Sequence, residues 1–182
     1  VFLLSLLLLA PLQPSRQRVV HWQAAPQARP VVLDVLAVVT AFTVAHSITL
    51  GLTITGWLTP PADLVEPAIA LSVVLAALNN LLGFSAVKRW RLAFLFGLVH
   101  GFGFANVLLD LGLPSDQLAI ALGGFNLGVE LGQIAIVLVF LPLAWTLRHT
   151  IFYRWVVVVG GSLAIAVLGI IWTLQRTGIL NG

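Results

Sequence analysis

Three ionisable side chains fall deep inside apolar stretches of this chain: His46 in "AFTVAHSITL", His100 in "FGLVHGFGF" and Glu130 in "GFNLGVELGQ". Imidazole nitrogen and carboxylate oxygen are ligands for divalent nickel, cobalt, zinc or iron, and with an open position the same set on zinc activates water. Two facing imidazoles would also ligate haem. An ionisable group at membrane depth is costly and reads first as functional, with helix-to-helix bonding as the structural alternative. Cysteine and methionine are both absent, which excludes disulfides, thiolate sites and soft sulfur ligands. Any metal must therefore be held by nitrogen and oxygen.

The neighbours of these residues follow helical spacing. Thr43, His46, Thr49 and Thr53 recur every three or four positions and form one polar stripe, as do Asn126, Glu130 and Gln133. Gly124, Gly128 and Gly132 make a second stripe nearly opposite, and Gly97 and Gly101 form a GxxxG pair beside His100. Small residues at that spacing let helix backbones approach closely, so the polar faces can converge. Convergence would bring His46, His100 and Glu130 to one intramembrane site, with Asn126, Gln133, Thr43 and Thr49 completing or supporting the ligand shell. Asn79 and Asn80 extend a polar path, and Asp34 begins one. Threonine also bonds its own helix backbone, and Asn and Gln hold helices together, so for Asn79, Asn80 and the threonines a structural role is the expectation.

The elements that must position these groups are membrane helices. With 60% hydrophobic and 8% charged residues in 182, and a mean hydropathy of +1.08, the chain is too apolar for a soluble domain. Apolar segments run over 1–10, 31–57, 64–83, 90–111, 116–147 and 154–174, the fifth with a possible break at Pro142. The expected fold is all-α: one polytopic bundle over 1–182, with residues 1–11 as the remnant of a first helix, a loop over 12–30, and five further spans over 31–182. The opening run ends after ten residues at Pro11 and lacks the positive flank of a signal peptide, so it reads as a helix whose beginning is cut off.

Charge sets the expected orientation. Arg16, Arg18 and Arg29, then Lys88, Arg89 and Arg91, then Arg148 and Arg154 lie in alternate loops, whereas the intervening loops hold Asp63 and Glu66, then Asp110 and Asp116. Positive loops stay inside, which makes 12–30, 84–91 and 148–154 cytoplasmic and puts both termini outside an inner membrane. Arg176 alone dissents. The basic residues are scattered rather than gathered in a patch, so no nucleic-acid partner is implied despite a calculated pI near 10.7. Pro67 after Glu66 suits a first helical turn with Glu66 as cap, and Pro60-Pro61 and Pro114 mark turns, Ser115 and Asp116 being available to cap the fifth span. Trp22, Trp57, Trp90, Trp145 and Trp155 fall near span ends, as an interfacial belt requires.

The stretches "FTVAHSITL" (42–50), "VEPAIALSVV" (65–74), "FGLVHGFGFA" (96–105) and "GFNLGVELGQ" (124–133) resemble, in order, the HupE/UreJ-like membrane proteins. The resemblance covers most of the chain from Val31 onward. It implies a permease for nickel or cobalt and an association with the maturation of nickel enzymes such as hydrogenase and urease. Members of that family carry a His-containing motif ending in Asp-His ahead of an apolar run like "VFLLSLLLLA", and this chain starts after that point. The resemblance therefore also implies further ligands, and often an extracytoplasmic domain, before Val1.

The leading function is a secondary permease or membrane binding protein for a divalent metal, with His46, His100 and Glu130 as ligands and Glu130 able to exchange a proton for the ion. A transporter rather than an enzyme is expected. No Walker-type loop occurs, so energy must come from a gradient or a partner. The alternatives are an intramembrane zinc hydrolase, for which no HExxH motif is found, a bis-His haem protein, and a structural membrane subunit.

Overall fold

A computed structural model describes residues 1–14, 22–82, 88–110 and 115–179. The chain runs through a short helix α1 (Phe2–Leu7), two strands β1 (Leu12–Pro14) and β2 (Trp22–Ala24), then α2 (Ala28–Ile54), α3 (Ala62–Leu82), α4 (Arg89–Asp110) and α5 (Ser115–Leu147). A π-helical stretch, Tyr153–Gly160, leads into α6 (Gly161–Arg176). Among the described residues, Ala28–Ile54, Ala62–Leu82, Ile120–Leu147 and Tyr153–Arg176 are long and apolar enough to cross a membrane. The 22 residues of α4 are about 33 Å long at the usual helical rise, enough for a further span. The chain is an all-α membrane bundle. Arg16, Arg18 and Pro114 lie outside the described residues, as do the side chains of Asp110, Ser115 and Asp116.

Glycine decides which helices touch most closely. The most extensive helix pair is α2 with α4. A Cβ at Gly97 would lie 2.7 Å from the Phe42 carbonyl oxygen, and one at Gly101 would lie 2.4 Å from that of His46. The two backbones therefore meet without an intervening side chain, as small-residue packing in lipid allows. Similarly, α6 lies against α3 at Gly169, where a Cβ would fall 2.8 Å from Val74 Cγ2. Phe2, Val38, Phe42, Val73, Ala76, Ala93 and Phe96 form a buried cluster that joins α1 to α2, α3 and α4.

Helix α1 ends inside the bundle, where water cannot satisfy its last carbonyls. Side chains do so instead. Asn80 Nδ2 donates to the Ser5 carbonyl at 2.7 Å and also reaches Ser162 Oγ at 3.3 Å, while the Tyr153 hydroxyl donates to the Leu8 carbonyl at 2.8 Å. Ser5, Asn80, Tyr153 and Ser162 are all buried. The structural role expected for Asn80 thus has a specific content: it caps α1 from α3 and ties both to the start of α6. Replacing Asn80 by leucine is expected to cost about 1–3 kcal/mol by orphaning the Ser5 carbonyl, measured as a shift in denaturant-induced unfolding in detergent.

Three local features differ from expectation. The 12–30 segment contains an antiparallel ladder, Leu12 opposite Ala24 and Pro14 opposite Trp22. Helix α3 begins at Ala62, two residues before the expected 64 and ahead of the Glu66–Pro67 step, and the Pro61 carbonyl accepts from Val65 N at 3.2 Å. Pro67 consequently sits inside the helix and Glu66 is not its cap. Helix α5 continues through Pro142 without a break; proline is tolerated in apolar spans better than in soluble helices. Helical backbone leads into the last span from Ile151, and Thr150 Oγ1 accepts from Tyr153 N at 3.1 Å.

Candidate functional site

The close contact of α2 with α4 places His46 and His100 at one level of the bundle, because Gly101, next to His100, abuts the His46 carbonyl. Both imidazoles pack against the Phe42 ring, His46 stacked at 5.8 Å between centroids and His100 edge-on at 5.5 Å. His46 is also flanked by Phe104 at 5.5 Å and Phe125 at 6.0 Å. It is 1% exposed, and among the described residues neither ring nitrogen has a hydrogen-bond partner. A buried polar group without a partner is unusual and calls for an explanation such as an ion that it receives.

His100 is held differently. Its Nδ1 lies 2.8 Å from the Phe96 carbonyl oxygen. A carbonyl only accepts, so Nδ1 carries the proton and Nε2 keeps its lone pair. Histidines that ligate metals use this arrangement, one nitrogen donating to a carbonyl and the other free for the ion. His100 lines a cavity of about 600 Å³ between α3, α4 and α6, with Val1 and Phe2 of α1 also on its wall. Phe104 borders the same cavity and touches His46, so it stands between the cavity and the second imidazole.

The sequence model of the HupE / UreJ protein family matches residues 1–176. The chain belongs to the HupE/UreJ family. No curated protein and no solved structure matches it.

The other residues singled out in this HupE/UreJ protein divide between the site and its supports. Thr49 donates to the carbonyls of Ala45 and His46, and Thr53 to that of Thr49, so both bond their own helix. Thr43 donates to Gln133 Oε1 at 3.1 Å and Ser47 to Asn126 Oδ1 at 3.2 Å, which fastens α5 to α2 on either side of His46. Asn79 is half-buried beside the α1 cap. Asp34 pairs with Arg89 across α2 and α4, toward the end of the bundle that carries the basic loops.

The expected three-ligand cluster is not formed within one chain. Glu130 is exposed on the flank of α5, and among the described residues no group of three His, Asp or Glu side chains is placed to hold a metal. Its stripe-mates Asn126 and Gln133 face α2; Glu130 is turned about 40–60° away around the helix at 100° per residue. Among the described residues, Gly124, Gly128 and Gly132 likewise meet nothing within 4 Å of a built Cβ, so none of the described helices packs on that stripe. Spacing did not reveal the aromatic enclosure of His46, which draws Phe42, Phe104 and Phe125 from separate helices, nor the pairing of Arg176 with Glu66 at the rim of the cavity.

Proposed function

We propose that this protein is a permease for a divalent transition metal, nickel or cobalt, which passes by way of His100 and His46. The observation that carries the reading is the imidazole pair itself: one ring fully buried with both nitrogens unpartnered, the other with its tautomer fixed and its free nitrogen available to a cavity. Two neutral nitrogen ligands with few fixed charges suit a cation that must bind and then leave. The ligand core of the reading is His46 and His100. Glu130 enters it as a carboxylate that exchanges a proton for the ion, acting beside the pair rather than within it.

The positive-inside rule supports a reading in which the cavity mouth faces the extracytoplasmic side of a bacterial inner membrane and the Asp34–Arg89 pair the cytoplasmic side. Metal would enter past Glu66 and be delivered inside to nickel-enzyme maturation. The test is elemental analysis of the purified full-length protein after equilibration with nickel or cobalt. Wild type is expected to hold metal stoichiometrically, His46→Ala/His100→Ala to hold none, and Glu130→Gln to hold as much as wild type. Metal retained in the double variant would overturn the imidazole site.

A further inference from the structure

Among the described residues, the cavity that ends at His100 has one carboxylate on its lining, Glu66, and that carboxylate is paired with Arg176. The pair joins α3 to the end of α6 and is partly exposed, with 43% of the Glu66 side chain and 57% of the Arg176 side chain accessible. An exposed pair of this kind contributes little to stability. Its position is more informative than its strength. Ile69, one turn along α3 from Glu66, lies against Gly103 of α4, where a Cβ would fall 2.4 Å from Ile69 Cδ1. His100 is nearly one turn beyond Gly103, so Glu66 stands about 9 Å above the imidazole by helical rise. Apart from Gln175, the rest of the described lining is apolar, with Ile69, Ala70, Val73 and Phe104 part of it.

From these placements we propose that Glu66 is the entry ligand for the cation and Arg176 its exchangeable counter-charge. A divalent cation reaching the mouth meets a carboxylate already neutralised by a monovalent guanidinium. It displaces Arg176, is held by Glu66 while it sheds water, and passes to His100 Nε2. Arg176 then closes on Glu66 again and restores neutrality at the rim. The arrangement also discriminates by charge. With the pair closed, the mouth offers an anion a guanidinium already occupied, whereas a divalent cation outcompetes that guanidinium for the carboxylate. This inference deepens the permease reading and rests on it.

The experiment is nickel and cobalt entry into proteoliposomes containing the full-length protein and a trapped metal indicator, read as the half-saturating metal concentration. Glu66→Gln is expected to raise that concentration about tenfold by removing the carboxylate that receives the ion at the cavity mouth. Arg176→Gln breaks the same ion pair yet is expected to lower it severalfold, because the carboxylate no longer has a competitor. Opposite shifts support the inference. A clamp between α3 and α6 would make both variants fail in the same direction, and that result overturns it, as does an unchanged half-saturating concentration in Glu66→Gln. If wild-type vesicles admit no metal and the purified protein binds none, the permease reading itself is what falls; bound and transported metal with indifferent variants removes only the role of Glu66 and Arg176.

Discussion

A His46→Leu protein is expected to be more stable than wild type and to bind no metal. His46 is 1% exposed, its two ring nitrogens are unpartnered, and three phenylalanine rings enclose it. Burying a polar group without a hydrogen bond costs about 1–3 kcal/mol, whereas an apolar side chain of similar volume fills the same space without that cost. A chain unfolded within lipid also finds partners for its imidazole, which reduces the difference, so a gain of about 1 kcal/mol is expected. Thermal or denaturant unfolding in detergent measures it, alongside metal content. A histidine retained for packing or helix bonding would give the reverse, a loss of stability in His46→Leu. Gain of stability with loss of metal is the outcome that a ligand held in readiness requires, because the binding group is then kept at the expense of the apo fold.

How far this could be read from residues alone differs between helices and faces. Span boundaries came within a few residues, 31–57 against Ala28–Ile54 and 64–83 against Ala62–Leu82, because length and apolarity suffice to find a membrane helix. Azimuth was legible only where small or polar residues marked a face. Gly97 and Gly101 mark the α4 surface that meets α2, since a Cβ there would strike backbone. On α5 the same logic had two stripes to choose from. Asn126 and Gln133 turn to α2, while Glu130 and the three stripe glycines do not, and an almost uniformly apolar helix offers no moment to separate those orientations in advance. Arg176 breaks the charge rule in sequence and finds its reason only in space, opposite Glu66.

The second large effect concerns the contact that holds the site together. A Cβ at Gly101 would lie 2.0 Å from Thr49 Oγ1 and 2.4 Å from the His46 carbonyl oxygen. The threonine hydroxyl can rotate away, but the carbonyl belongs to the α2 backbone and cannot. Gly101→Ala must therefore push α4 off α2, carrying His100 away from Phe42 and His46. Overpacking of this kind costs about 1–3 kcal/mol, while alanine returns at most about 1 kcal/mol of helix propensity. Net destabilisation and weakened metal binding are expected together. Gly128→Ala isolates the propensity term, because nothing lies within 4 Å of a Cβ there; it is expected to be neutral or to stabilise by up to about 1 kcal/mol. Denaturant unfolding and metal content of both proteins make the comparison. Equal stability in the two would mean that α2 and α4 do not touch at Gly101, and the level shared by His46 and His100 would lose its structural basis.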